Sequence, residues 1–219
     1  MLEFLGLIGI AGLFCLIIIF ISKNYKQKYN VKSFFLLNGI ETAQVEEIVN
    51  IFPDFFKKEK FDIVIEIGTH LGGLSCWLYE QSKIFEFQFS SYDIEDKLDM
   101  VRSIYNKIPF DFRMISALEN PGKEEIETIL LSNEKCLLMC DGGNKIKEFN
   151  LYAPKLKPKD FIMTHDYAPD KDYFKNHING KIWNWFETYD DALDIELNNL
   201  EKMYSNIFTP VVWSCFKKR

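Results

Sequence analysis

Along the chain the polar and apolar positions change regime twice. The first regime is Phe4 to Ile21, FLGLIGIAGLFCLIIIFI, with no charged or strongly polar side chain. Apolar residues cover every face, unlike an amphipathic surface helix. Eighteen residues at the helical rise span about 27 Å, close to the hydrocarbon thickness of a bilayer. Glu3 in front and Ile-Ser-Lys behind do not match a cleaved signal peptide. The pattern predicts a transmembrane helix over residues 1–22. Lys23, Lys26, Lys28 and Lys32 follow with no acid among them. They predict a basic juxtamembrane linker over 23–33, with the C-terminal side in the cytoplasm.

From residue 34 onward, short apolar runs alternate with helical spacing. Val45, Ile48, Val49, Phe52 and Phe56 predict a helix over Thr42–Phe56, broken near Pro53. Strands are predicted at Phe61–Ile67, Phe85–Tyr92, Phe110–Ile115, Lys135–Cys140 and Asp160–Thr164. Helices are predicted at Gly73–Gln81, Asp96–Asn106, Glu124–Leu131 and Lys145–Leu156. Beyond them come a strand over Lys181–Glu187, a helix over Asp190–Met203 and a strand over Pro210–Phe216. Continuously apolar strands alternating with helices are the signature of a parallel sheet covered on both faces. Residues 34–219 therefore read as one α/β domain, a Rossmann-like doubly wound, mostly parallel sheet. Ligands of such sheets sit beyond the carboxyl ends of the strands. Those ends are Gly68 to Gly73, Asp93, Ser116, Asp141 to Lys145, and His165 to Tyr167.

Composition sharpens this division. Of 219 residues 47% are apolar, enough for a sizeable core, which excludes a mostly disordered chain. The net charge of -6 averages two unlike parts, because residues 34–219 alone carry -9. An acidic domain is a poor binder of phosphate backbones, so nucleic acid is not expected as a partner. The five cysteines are scattered and contain no C-x-x-C pair, which argues against a disulfide scaffold and for a reducing compartment. Cys136 and Cys140 read as buried strand positions.

The first strand ends Glu66-Ile-Gly68-Thr69-His70-Leu-Gly72-Gly73. A dinucleotide fingerprint needs its second glycine where His70 stands, and no Gly-Lys-Ser/Thr follows to make a P-loop. Glu-x-Gly-x-x-x-Gly at this place resembles motif I of the class I S-adenosylmethionine (SAM) methyltransferases. The resemblance implies SAM as cofactor, Gly68 and Gly72 as the turn beside it, and Glu66 as the acid preceding them. It also implies Asp93, 25 residues after Gly68, as the carboxylate on the ribose. Thr69, Ser116 and Asp141 stand on the same rim and complete the candidate cofactor contacts.

The fourth strand runs into Asp141-Gly-Gly-Asn-Lys145. Tyr152-Ala-Pro-Lys-Leu-Lys-Pro-Lys-Asp160 then leads into the fifth strand and His165-Asp166-Tyr167. This stretch resembles small-molecule O-methyltransferases, nearest to the sugar O-methyltransferases and the cephalosporin-hydroxylase-like group. With motif I the resemblance spans roughly Phe61 to Tyr167. It implies methyl transfer to an oxygen of a small-molecule or carbohydrate-like acceptor. In metal-dependent members Mg²⁺ orients the acceptor hydroxyl, and Asp141 and Asp166 match two of its ligand positions. His165 and Gly143 stand where such members carry acids. Without a metal, His165 or Asp141 is the candidate general base, since an imidazole titrates near neutrality. Asn144 and Lys145 read as a helix start and His177 as a surface residue. Trp183 and Trp185 read as core or lid packing. Two other readings stay open: a non-catalytic protein retaining the fold, and a hydroxylase-like or nucleotide-sugar enzyme on the same scaffold.

Overall fold

The structure, a computed structural model, describes residues 34–219. The transmembrane helix expected over 1–22 and the basic linker over 23–33 lie outside the described residues. Among the described residues no helix is long and apolar enough to cross a membrane.

β1 (Phe34–Leu37) and β2 (Ile40–Ala43) form an antiparallel hairpin in which Leu37 pairs with Ile40. Its two-residue turn is Asn38-Gly39, with φ of 52° and 83°. Two positive φ angles give a turn whose twist suits the flanking strands. Thr42 to Phe56 is therefore not one helix. Thr42 belongs to the hairpin, and α1 (Ile48–Glu59) starts later and continues past Pro53. Burial of Ile48, Phe52, Phe55 and Phe56 along one face holds α1 together despite the donor that Pro53 lacks.

Seven strands make the main sheet: β3 (Ile63–Ile67), β4 (Gln88–Asp93), β5 (Asp111–Met114), β6 (Cys136–Cys140), β7 (Phe161–Thr164), β8 (Leu200–Lys202) and β9 (Ser214–Lys218). Their order is β5-β4-β3-β6-β7-β9-β8. β3 to β7 are parallel, and β9 is antiparallel to both of its neighbours. The order reverses between β3 and β6, and at that switch point the loops leaving the two strands diverge and leave a crevice.

Alternation along the central strands sorts the core into two layers. Val64, Leu137, Met139, Phe161 and Met163 face one layer, with α1, α2 (Gly73–Phe85) and α3 (Asp99–Tyr105). Ile65, Ile67, Leu138, Cys140 and Ile162 face the other, with α4 (Gly122–Leu130) and α5 (Lys145–Tyr152). Phe52 centres the first layer, with its ring against those of Phe55, Phe56, Trp77, Phe208 and Trp213. Cys76, Cys136, Cys140 and Cys215 are buried free thiols.

The segment after β7 departs from expectation. Lys181–Glu187 forms no strand, only an isolated bridge between Asn179 and Trp183. Asp190–Met203 is not a helix: Asp190–Ala192 is one 3-10 turn and Leu200–Lys202 is the edge strand β8. Asp190 is tied instead to Lys202, at 2.6 Å, and to the Tyr167 hydroxyl, at 2.6 Å. Asn199, with φ of 51°, leads the chain into β8, which pairs with β9. Tertiary pairing here overrides the helical spacing of the apolar residues.

Candidate active site

A cleft of about 600 Å³ opens at the carboxyl ends of β3 to β7. One wall is the 68–73 loop with Asp93, Ile94 and Ser116. The other is Asp141 to Lys145 with His165 and Asp166. Glu41 to Ala43 of the hairpin, Gln44 just after it, and Trp183 complete the lining. Of the residues singled out in the sequence, Gly68, Thr69, Gly72, Asp93, Ser116, Asp141, His165 and Asp166 all line this one space.

On the first wall the backbone is shaped for close approach. Gly68 has φ of 99°, and a Cβ there would stand 2.2 Å from the Asp141 carbonyl oxygen. Only glycine lets the β3 and β6 ends come together in this way. His70 also lies in the left-handed region, with φ of 50°, and its backbone N–H donates to Asp93 Oδ2 at 2.8 Å. The Asp93 carboxylate thus holds the loop and still faces the cleft.

Glu66 sits elsewhere. It does not line the cleft but points beneath the loop, where Oε2 accepts from the hydroxyls of Ser75 and Ser91 (2.6 Å from Ser91). Ser91 in turn bonds Thr69 at 2.6 Å, so Glu66 reaches the loop only through two hydroxyls. Burial pushes its carboxyl up to about 8, against the lowering pull of the two serines. The register of β3 explains this: Ile65 and Ile67 face the α4–α5 layer, so Glu66 faces α2.

The second wall is a cluster of charges. Asp141 Oδ1 accepts from His165 Nδ1 at 3.0 Å, and Asp141 Oδ2 accepts from Gln44 Nε2 at 2.7 Å. Gln44 is itself fixed by Trp213 Nε1, which donates to its Oε1 at 2.8 Å. A carboxylate only accepts, so His165 Nδ1 carries the proton of this bond, and the other ring nitrogen is Nε2. That Nε2 is buried without a hydrogen-bond partner. The His165 ring packs against those of Trp213, 4.9 Å away, and Trp183, 5.4 Å away.

Asp166, buried and left-handed at φ of 54°, accepts from Lys145 Nζ at 2.9 Å and from Trp183 Nε1. Burial works to raise its carboxyl, but the neighbouring His165, Lys145 and the Trp183 N–H outweigh that and hold it below the usual range. Lys145 is the first residue of α5 and buried. Its ammonium also donates to the Gly142 carbonyl at 3.0 Å and to Glu187 Oε2 at 3.2 Å. Burial works against its charge, and Asp141, Asp166 and Glu187 overcome it, raising the pKa above the lysine norm. Asn144 caps α5, accepting from the Lys147 N–H. Glu148 takes the Gly142 and Asn144 N–H groups, and burial moves its carboxyl up to about 7.

Asp141, His165 and Asp166 each offer one ligand atom within 4.8 Å of the others. Their donor chemistry does not suit Mg²⁺, which takes about six oxygens near 2.0–2.1 Å. Each of the four oxygens of Asp141 and Asp166 already accepts an N–H, from His165, Gln44, Trp183 or Lys145. A divalent cation would also meet the Lys145 ammonium, 3.8 Å from Asp141 Oδ1.

Four members of this wall were not among the candidate site residues read from the sequence: Gln44, Lys145, Trp183 and Glu187. Lys145 had a local signal, a charge four residues after Asp141 on the ligand-binding rim. Gln44, Trp183 and Glu187 arrive from distant segments and had none. His177 is exposed, against Tyr173.

No family model matches this sequence, and no curated protein sequence does. Solved structures do resemble the fold. One named "cmcI-D160 Mg-SAM" is 12% identical with a TM-score of 0.60, over 84% of this chain and 76% of that one. "CmcI-N160 apo-structure" is 11% identical, with a TM-score of 0.59 and the same coverage. A putative caffeoyl-CoA O-methyltransferase from Staphylococcus aureus is 13% identical with a TM-score of 0.51, over 78% of this chain and 83% of that one. At such identities the likeness establishes the architecture, a Rossmann-like sheet of the class I methyltransferase type.

Proposed function

We propose that this chain is a SAM-dependent methyltransferase acting on a hydroxyl of a small-molecule or carbohydrate-like acceptor. We further propose that residues 1–22 anchor it in a membrane with residues 34–219 facing the cytoplasm. The observation that carries the enzymatic reading is the two-walled cleft. A glycine turn and a carboxylate stand on one wall, and an Asp–His pair stands on the other. SAM fits the first wall: Gly68 leaves its backbone bare, Asp93 offers a carboxylate to ribose hydroxyls, and Ile94, 70% exposed, offers apolar surface to a purine. The fold, shared with the structures above, supports the same reading. The anchor rests on the apolar run of Phe4–Ile21 and its lysine flank.

When bound, SAM supplies an electrophilic methyl group. The chain's own work is to hold the acceptor oxygen in line with it and to keep water out, which supplies much of the rate in such displacements. Asp141 lies at the cleft surface with both oxygens fixed by Gln44 and His165, so it accepts the acceptor's O–H in one orientation. Asp141 then takes the proton as general base, while the His165 Nδ1–H and the Gln44 amide hold its carboxylate in place. No step is assigned to a metal.

The test is transfer of label from methyl-labelled SAM to a panel of hydroxylated acceptors. Asp141→Ala is expected to lower kcat at least about 100-fold with SAM affinity little changed. Folded protein that binds SAM but labels nothing would favour the non-catalytic reading. Binding of NAD in preference to SAM would favour a different enzyme.

A further inference from the structure

The second wall holds a cation of its own. An ammonium has three hydrogens to donate, and Lys145 Nζ has three acceptors within reach: Asp166 Oδ2 at 2.9 Å, the Gly142 carbonyl at 3.0 Å and Glu187 Oε2 at 3.2 Å. The Lys145 backbone N–H adds a bond to Glu187 Oε1 at 2.7 Å. Asp141 Oδ1 stands 3.8 Å away. Three carboxylates from three segments thus converge on one buried positive charge. A buried charge persists when it is paired and hydrogen-bonded, and removing one partner leaves the others uncompensated.

We infer that the Lys145 ammonium is the resident cation of this cleft, standing among Asp141, Asp166 and Glu187 and closing the cluster to divalent metal ions. The two roles exclude each other by charge. A dication a few ångströms from an ammonium suffers a repulsion strong enough to weaken its binding by on the order of 100-fold or more. The carboxylate oxygens are also engaged by N–H donors that a metal would have to displace. Lys145 is a positioning residue in this account. It fixes Asp166 and Glu187, and through Glu187 it ties the 179–188 segment to the strand ends.

The inference concerns the cleft's own side chains, so it is tested without SAM, acceptor or turnover. Mn²⁺, a paramagnetic stand-in for Mg²⁺, is titrated into the full-length protein and its bound fraction read by electron paramagnetic resonance. Wild type is expected to bind none saturably at millimolar Mn²⁺. Lys145→Gln, which removes the charge and keeps most of the length, is expected to gain a Mn²⁺ site about 100-fold or more tighter than wild type. Adding Asp141→Asn should abolish that site. Lys145→Arg, which keeps the charge, should behave as wild type, an outcome that loss of packing alone would not produce. Saturable binding to wild type that Asp141→Asn removes would overturn the inference. So would a folded Lys145→Gln variant that binds no better than wild type. Should Lys145→Gln not fold, the comparison of wild type with Asp141→Asn decides alone, wild type without a site supporting the inference. If the proposed transferase reading also holds, turnover is insensitive to EDTA; loss of that reading would leave the Mn²⁺ result standing.

Discussion

Gly68, Glu66 and Glu148 show how single residues set the cleft. At Gly68 any side chain meets the Asp141 backbone, which cannot swing away as a side chain can. Gly68→Ala is expected to destabilise the protein by about 2 kcal/mol or more, read by denaturant unfolding. Glu66 and Glu148 have carboxyls raised by burial, to about 8 and about 7, from an ordinary 4.5. A raised pKa means that the folded state holds its proton more tightly than the unfolded chain does. The stability it contributes is full below pH 4.5 and is lost as the pH rises through 7 and 8. The melting temperature should therefore fall between about pH 5 and pH 9, and Glu66→Gln should flatten that fall. The strand-end residues were legible in the sequence because each apolar run stops abruptly at a polar one. Their partners were not: Gln44 and Trp213 lie 169 positions apart and meet only in the fold.

At the scale of elements, the alternating strands and helices from β3 to β7 follow from continuous apolar runs, which have one stable home between two helical layers. The edges did not follow so simply. The Asn38-Gly39 hairpin had its turn signal in the sequence, but the helical spacing after Thr42 obscured it. In Asp190–Met203 the spacing was helical, while Leu200, Glu201 and Lys202 paired with β9 and Asp190 was tied to Lys202 and Tyr167, and such pairing leaves no local trace. α1 matters to the site through Phe52, whose ring lies 6.1 Å from that of Trp213, the donor that fixes Gln44. Phe52→Ala is expected to cost about 3–5 kcal/mol of stability in chemical unfolding. In protein that still folds it should also loosen Gln44 and reduce turnover.

At the scale of the whole molecule, a near-neutral mean hydropathy of -0.11 conceals a strongly apolar segment and an acidic domain. If the two are independent, removing residues 1–33 should release a soluble, folded protein with an unchanged unfolding midpoint. Aggregation of that shortened protein would show instead that the first segment covers part of the domain. The topology places two walls of different chemistry at one switch point, a glycine turn with Asp93 on one and the charged cluster around Asp141, Lys145 and Asp166 on the other. The central claim is that the first wall binds SAM, and isothermal titration of the folded full-length protein tests it most directly. The account predicts saturable, one-to-one binding of SAM, weakened about tenfold or more by Asp93→Ala. Absence of binding at millimolar SAM, or an affinity indifferent to Asp93→Ala, would contradict it.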